Sequence, residues 1–138
     1  MRVGLADDSL LFREGLARLV AELGFEVAFQ AASAEELDQA VRRRPPDVVI
    51  ADVRMPPSFT NEGIVAARQL RADFPSLGVL VLSQYVESSQ AARLLADDGR
   101  GVGYLLKDRV TELDALGEAV RRVAAGGTVI DPEVVAGL

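Results

Sequence analysis

Short apolar runs alternate with amphipathic segments along the whole chain. Five of these runs are rich in aliphatic or aromatic residues, which is typical of strands in a buried sheet. They lie at residues 2–6, 25–31, 48–51, 79–82 and 103–106. The segments between them carry apolar residues at helical spacing, as in the stripe formed by Leu16, Leu19, Val20 and Leu23. The pattern predicts five strands that alternate with five helices.

Polar residues at the segment boundaries support this division. Ser9 and Ser33 each precede a helical segment, where a serine can accept a hydrogen bond from the first helical turn. Glu36 completes a capping box with Ser33. Thr111 and Asp114 have the same spacing, so Thr111 is predicted to cap the last long helix.

The alternation of strands and helices favours a parallel sheet, because parallel strands need crossover connections. At 138 residues the chain has the length of one domain. The predicted fold class is α/β, a doubly wound parallel sheet in a three-layer sandwich. Residues 1–127 are assigned to this domain. Residues 128–138 contain Asp131 and Pro132, a typical helix start, and are predicted to begin a C-terminal linker.

Polar residues stand where several predicted strands end. Asp7 and Asp8 follow the first strand, and Asp52 follows the third. Ser83 ends the fourth strand and Lys107 follows the fifth. Because parallel strands point the same way, we expect these side chains to gather at one edge of the sheet. Open α/β sheets bind their ligands at this edge.

Three carboxylates in one cluster need a compensating cation. Two unit charges about 5 Å apart repel by about 3 kcal/mol at an effective dielectric constant near 20. A few oxygen ligands, completed by water and phosphate oxygens, favour Mg2+. An aspartate such as Asp52 can then form an aspartyl phosphate, while Lys107 and Ser83 stabilise the transferring group.

The composition excludes several classes of function. The chain has no cysteine and no histidine, which excludes disulfides, thiolate catalysis and a histidine base. The net charge is −6, and the one basic run, Arg42 to Arg44, ends a predicted helix, so direct nucleic-acid binding is not expected. No apolar run approaches the ~20 residues of a membrane span, and no secretory signal is present, which predicts a cytoplasmic protein without membrane contact.

Four motifs lie at the ends of the first, third, fourth and fifth predicted strands. They read LADDS, VVIADVRMPP, VLVLSQY and GYLLKD. In this order they resemble the receiver domain of bacterial two-component response regulators, and the resemblance covers essentially the whole chain. The GYLLKD form, with DPEVV beyond the last long helix, resembles the subfamily in which a LuxR-type helix-turn-helix DNA-binding domain follows the receiver.

The resemblance implies a phosphorylation switch. Asp52 would accept a phosphoryl group from a sensor histidine kinase. Asp8 and Asp52 would bind Mg2+ together with the backbone carbonyl of Arg54, and Asp7 would act through water. The chain would not be an enzyme beyond self-phosphorylation from small phosphodonors and slow autodephosphorylation. The flavodoxin-like strand order of the family, 2-1-3-4-5, implies a five-stranded sheet with the first and third strands adjacent.

The resemblance also implies how the signal leaves the site. Ser83 and Lys107 would contact the phosphoryl group, and Ser83 and Tyr104 would form the switch that alters the face around the fourth and fifth helices. A homodimer is a further expected partner. DNA would be reached through an effector domain absent from this chain, as in transcription regulation.

Two other functions fit parts of the pattern. An aspartate-dependent phosphohydrolase would also use Asp52, but such enzymes commonly place a second acid two residues further on, where this chain has Arg54. A degenerate receiver that only binds proteins is argued against by the complete set of acidic residues and the lysine. The loop at residues 57–61 leaves open which side chain would shield a phosphoryl group.

Overall fold

A parallel sheet of six strands lies between two layers of helices in the computed structural model, which describes residues 1–137. The strands are β1 (Arg2–Ala6), β2 (Glu26–Ala31), β3 (Val48–Asp52), β4 (Gly78–Ser83), β5 (Val102–Leu106) and β6 (Val129–Ile130). The helices are α1 (Leu10–Glu22), α2 (Ala34–Arg43), α3 (Glu62–Asp73), α4 (Ser88–Leu95), α5 (Leu113–Ala124) and α6 (Pro132–Val135), and a 3-10 helix (Lys107–Thr111) joins β5 to α5. Within residues 1–137, no helix is both long enough and apolar enough to cross a bilayer.

The strand order is β2-β1-β3-β4-β5-β6. The α/β class and the order of the first five strands agree with the sequence prediction, but the five-stranded count was wrong. The added strand β6 pairs in parallel with β5, so that Val129 lies beside Gly103 and Ile130 beside Tyr104. A strand of two residues is too short to show a periodicity, which is why the sequence pattern did not reveal it.

Both faces of the sheet are buried, which explains the nearly unbroken apolar runs. On the face covered by α2, α3 and α4, the buried strand residues include Val49, Ala51, Val79 and Val81. On the face covered by α1 and α5, they include Val48, Ile50, Leu80 and Leu82. Successive residues of a strand point to opposite faces, so the apolar side chains of β3 and β4 alternate between the two cores, and every position of these strands is buried. Burial of each large aliphatic side chain contributes about 1.5–3 kcal/mol.

Two of the three predicted helix caps are present. The hydroxyl of Ser9 accepts a hydrogen bond from the Phe12 amide, and that of Ser33 accepts one from the Glu36 amide. The prediction for Thr111 was wrong, because this residue ends the 3-10 helix and its hydroxyl donates to the Asp108 carbonyl at 3.0 Å. Helix α5 begins two residues after Thr111, at Leu113, without a side-chain cap.

The segment after residue 127 packs against the body of the domain. Its strand β6 extends the sheet, and Asp131 caps α6 by accepting a hydrogen bond from the Glu133 amide. Val134 of α6 is fully buried and belongs to the same core as α4. That this segment leads to a further domain stays a prediction.

Candidate functional site

Three carboxylates meet where β1 and β3 end. Asp7 follows β1 directly, and Asp52 is the last residue of β3, so the pairing of these two strands brings the residues together. One carboxylate oxygen from each of Asp7, Asp8 and Asp52 lies within 4.8 Å of the others. Asp7 and Asp52 are buried, whereas Asp8 is exposed. The structure therefore forms the acidic cluster that the sequence predicted.

Lys107 lies between the two buried carboxylates. Its ammonium nitrogen Nζ donates to Asp7 Oδ2 at 3.0 Å and to Asp52 Oδ2 at 3.2 Å. The same nitrogen lies 4.4 Å from the centre of the Phe12 ring, a cation–π contact. The lysine is therefore held by two anions and one aromatic face, and it compensates part of the negative charge of the cluster.

The surroundings raise the pKa values of both Asp52 and Lys107. The higher pKa disfavours the charged form of Asp52 and favours the charged form of Lys107. Burial and the negative charge of Asp7 raise the pKa of Asp52, although Lys107 and the Arg54 amide partly offset them. Burial alone would lower the pKa of Lys107, but its hydrogen bond to Asp7 and its attraction to Asp52 outweigh burial and raise it. Lys107 is therefore fully charged at neutral pH. Asp52 carries an anion that is costly to keep buried.

Asp7 is fixed in place by the first turn of α1. Its second carboxylate oxygen, Oδ1, accepts a hydrogen bond from the Ser9 amide at 2.8 Å, and its carbonyl accepts one from the Arg13 guanidinium at 2.7 Å. One Asp7 oxygen thus faces the backbone while the other faces Lys107. Phe12 and Arg13 were not predicted to belong to the site, because their positions one turn into a helix are also those of ordinary amphipathic packing.

Ser83 and Tyr104 are two further buried polar residues near the carboxylates. The Ser83 hydroxyl is buried and forms a local turn, accepting from the Tyr85 amide at 3.1 Å and donating to the Tyr85 carbonyl at 2.7 Å. The Tyr104 side chain is fully buried, and its hydroxyl has no hydrogen-bond partner within residues 1–137. Burial raises the pKa of Tyr104, with Ser83 partly offsetting it. The two residues sit on the adjacent strands β4 and β5.

Arg54 connects the loop after β3 to the start of α4. Its guanidinium forms an ion pair with Glu87 and lies 5.2 Å from the centre of the Tyr85 ring. Its amide points to Asp52 Oδ1 at the long distance of 3.5 Å. The sequence prediction concerned only the Arg54 carbonyl as a metal ligand, and that role stays a prediction. Glu87 and Tyr85 were missed, since only the fold brings their loop next to Arg54.

The loop after β3 supplies an aromatic side chain to the site. Phe59 has a φ of 55°, which is unusual for a residue with a Cβ, and its side chain is 48% exposed. Together with the acidic cluster, Ser83 and Lys107, it lines an open cavity of about 370 Å³. Phe59 is the one residue of the loop at 57–61 that lines this cavity, and which side chain would shield a bound group stays open.

Glu62, the first residue of α3, holds that loop by hydrogen bonds. Its carboxylate accepts from the amides of Ser58 and Thr60 and from the Ser58 hydroxyl. Partial burial alone would raise the pKa of Glu62, but these hydrogen bonds outweigh it and lower the pKa to about 2. The carboxylate therefore stays ionised, and remains an acceptor for the hydrogen bonds of the loop, across the physiological pH range.

Gly63 lets α3 pass close to the end of β3. A Cβ at this position would lie 1.9 Å from the Asp52 carbonyl oxygen, which is backbone and has little room to move. We expect Gly63→Ala to lower the free energy of unfolding by about 3 kcal/mol, at the upper end of the usual cost of overpacking. Urea unfolding followed by circular dichroism measures this.

The matched control for this substitution is Gly15→Ala. Gly15 lies inside α1, and a Cβ there would meet no atom within 4 Å. Alanine should therefore raise the free energy of unfolding by about 0.5–1 kcal/mol. Equal effects of the two substitutions would show that the close approach at Gly63 does not constrain the site.

Comparison with known proteins agrees with this fold. Residues 3–121 match the family model of the response regulator receiver domain. The chain is 38% identical over 135 residues to the transcriptional regulatory protein DegU of Brevibacillus brevis, a match that covers 97% of this chain and 54% of DegU. The match to the family model and the identity to DegU thus identify the α/β domain as a receiver. The chain belongs to the response regulator receiver domain family.

Solved structures show the same architecture. The signal receiver domain of NarL from Mycobacterium tuberculosis superposes with a TM-score of 0.72 at 30% identity, covering 87% of this chain and 95% of that one. A LuxR-family response regulator from an Aurantimonas species gives a TM-score of 0.80 at 25% identity, with 98% and 92% covered. The curated relatives are longer, and the chain spans between 54% and 61% of their length in the leading matches.

Proposed function

We propose that this chain is the phosphorylation-controlled switch of a two-component system, with Asp52 as the phosphoacceptor. The observation that carries the proposal is that Asp52 lines an open cavity and its carboxylate contacts the Lys107 ammonium, which also contacts Asp7. Asp52 is the only one of the three clustered carboxylates that ends a strand and contacts the lysine while facing that cavity beside Ser83. The phosphodonor would be a sensor histidine kinase.

The proposed transfer is a substitution at phosphorus. An oxygen of the Asp52 carboxylate attacks, the new oxygen–phosphorus bond forms, and the bond from phosphorus to the donor atom breaks with its electron pair. The donor atom is a histidine nitrogen of the kinase or the acetate oxygen of acetyl phosphate. Lys107, 3.2 Å from Asp52 Oδ2, neutralises charge on the phosphoryl oxygens. Ser83 reaches the same group if its hydroxyl leaves the Tyr85 carbonyl.

The acidic cluster fits Mg2+. Three carboxylate oxygens within 4.8 Å are hard ligands, and one lysine does not neutralise three negative charges. Asp8 and Asp52 would hold the ion with the Arg54 carbonyl, and Asp7 would act through water because its oxygens already bind Lys107 and the Ser9 amide. When bound, the ion supplies positive charge against the phosphoryl oxygens.

The switch would run from Ser83 to Tyr104. A Ser83 hydroxyl that turns toward the phosphoryl group gives up its bond to the Tyr85 carbonyl and changes the loop that leads into α4. The buried, unpartnered Tyr104 hydroxyl lies next to this strand and can respond to the change. The surface formed by α4, β5 and α5 would carry the signal, through a homodimer or a further domain.

The remaining properties follow from the same proposal. The protein would act in the cytoplasm, would not be an enzyme beyond self-phosphorylation and slow autodephosphorylation, and would regulate transcription through a DNA-binding domain outside this chain. The phosphohydrolase alternative is disfavoured, because the residue two positions beyond Asp52 is Arg54, whose guanidinium is paired with Glu87. A guanidinium does not donate a proton at neutral pH.

Acetyl phosphate with Mg2+ tests the phosphoacceptor. We expect intact-mass spectra to show one phosphoryl group on the wild-type chain and none on Asp52→Asn, because the amide is not a nucleophile toward phosphorus. Asp114→Asn, an exposed acid in the first turn of α5, serves as a control and should label like wild type. Persistent labelling of Asp52→Asn would show that another residue accepts the phosphoryl group.

A further inference from the structure

Asp131 is a buried carboxylate for which the proposed reaction has no use. It is 0% exposed, less than Asp7 at 2% or Asp52 at 9%, although it lies in the segment after residue 127. Burial of an ionised carboxylate is costly unless its oxygens are paired. Its partners therefore indicate what it holds in place.

The Asp131 carboxylate binds three separate parts of the chain. Oδ2 accepts from the Leu106 amide at 3.1 Å and from Arg109 Nε at 3.0 Å. Oδ1 accepts from the Glu133 amide at 3.0 Å and from a terminal nitrogen of Arg109 at 3.3 Å. Burial alone would raise the pKa of Asp131, but the hydrogen bonds from Arg109, Leu106 and Glu133 outweigh it and lower the pKa.

Two of the residues that bind Asp131 flank Lys107 in the sequence. Leu106 directly precedes Lys107, and Arg109 follows it by two residues. The Asp131 amide in turn donates to the Tyr104 carbonyl at 2.8 Å, which fixes Asp131 to the same strand. The backbone that carries the Lys107 side chain is therefore held from the C-terminal segment and not only by its sheet neighbours.

A helix cap alone does not require this arrangement. Capping α6 needs only one acceptor for the Glu133 amide, which an exposed serine or asparagine also supplies. The bonds to Leu106 and Arg109 are additional to the cap and account for the complete burial of Asp131. They connect α6, whose Val134 is buried against the core shared with α4, to the end of β5.

We propose that Asp131 is a positioning residue for Lys107, and that through it the docking of α6 is coupled to phosphoryl transfer at Asp52. The inference rests on the proposed function for its effect on transfer, while the positioning itself is independent of it. Coupling is reciprocal, so a shift of Lys107 on phosphorylation changes the docking of α6, and loss of α6 docking changes the site.

The test compares Asp131→Ala and Asp131→Asn with Glu133→Gln. Glu133 is the matched control, since it is an exposed carboxylate that also contacts Arg109, at 3.3 Å, but makes no bond to Leu106. We expect Asp131→Ala to lower the rate constant of acetyl phosphate labelling about 10-fold, less than the ~100-fold that a misplacement of about 1 Å can cost. Asp131→Asn keeps one acceptor oxygen and should lie between Asp131→Ala and wild type. Glu133→Gln should match wild type.

A double-mutant cycle separates positioning from general destabilisation. In a Lys107→Gln background, Asp131→Ala should have little further effect on the labelling rate, because the group that it positions is gone. An additive effect in that background would overturn the proposal. The free energies of unfolding of the folded variants are measured alongside, and Asp131→Asn takes the place of Asp131→Ala in the cycle if the alanine variant does not fold.

A second readout does not depend on phosphorylation. In NMR spectra without Mg2+ or phosphodonor, the Lys107 side-chain resonances should shift in Asp131→Ala and Asp131→Asn but not in Glu133→Gln, and the Leu106 amide should exchange faster. Unchanged Lys107 resonances in both Asp131 variants would refute the positioning role. If wild type shows these contacts yet is not labelled, the proposed function fails while the positioning stands.

Discussion

Replacement of Lys107 by glutamine is expected to lower the rate constant for labelling of Asp52 by acetyl phosphate about 100-fold, the usual cost of removing one charge-stabilising donor from an active site. The ammonium is bonded to both buried carboxylates, so its loss removes the group that neutralises the transferring phosphoryl oxygens. It also leaves Asp7 and Asp52 facing each other without a cation between them. Intact-mass spectra taken over time at fixed pH measure the rate constant.

The pH dependence of the labelling rate provides a second, independent test of the role of Lys107. Lys107 lowers the pKa of Asp52 against the opposing effects of burial and Asp7, so its removal should raise that pKa further. Since the carboxylate is the nucleophile, the pH at which labelling reaches half its maximal rate should move upward in Lys107→Gln. Arg121→Gln removes an exposed cation of α5 and should change neither quantity. A Lys107→Gln rate within a factor of about 3 of wild type would exclude the role proposed for the ammonium.

The candidate site could be predicted from the sequence because of where the strands end. In a parallel sheet the C-terminal ends of all strands share one edge, so Asp52 after one apolar run and Lys107 after another must lie near each other once the order of the strands is known. The strand order came from the resemblance and not from periodicity. The fully buried strands could be recognised since both faces of β3 and β4 lie in a core, which leaves no polar position to interrupt the run.

The features that the sequence did not reveal depend on contacts between distant segments. Strand β6 exists because two residues pair with β5, and the Arg54–Glu87 pair joins residues 33 positions apart. Thr111 shows a different limit, since its spacing to Asp114 matches a capping box while the chain forms a 3-10 helix there instead. A local sequence pattern is compatible with several structures of a segment, and tertiary packing selects one of them.

The Phe12 contact with Lys107 illustrates the same limit inside the site. An aromatic residue in the first turn of α1 is predicted to belong to the apolar face of the helix, and Phe12 does pack against the core under α1 and α5. Its ring also contacts the ammonium of Lys107, which lies 95 positions later in the sequence. Only the meeting of α1 with the end of β5 reveals that one side chain serves both purposes.

Addition of Mg2+ is expected to stabilise the protein, and Asp8→Asn should abolish most of this gain. A ligand that binds only the folded state stabilises by about 2.7 kcal/mol at a free concentration 100 times its Kd, which corresponds to roughly 8 °C in Tm for a domain of this size. Asp8 is the exposed member of the cluster. Its replacement removes one ligand and one repelling charge, so Asp8→Asn should melt above wild type without Mg2+ and below it with saturating Mg2+.

The pH dependence of the Mg2+ effect has a definite sign. The pKa of Asp52 is raised in the folded protein, so between the unfolded and folded pKa values the native state binds more protons, and metal-free stability falls as pH rises through that window. Because Mg2+ binds the deprotonated carboxylates, its gain in Tm should be larger at about pH 7.5 than at about pH 5. Calorimetric scans of wild type, Asp8→Asn and Asp114→Asn at both pH values measure these differences, with Asp114→Asn expected to behave as wild type.

A gain in Tm that is equal in wild type and Asp8→Asn would place the ion outside the acidic cluster. A gain that shrinks as pH rises would contradict binding through the Asp52 carboxylate.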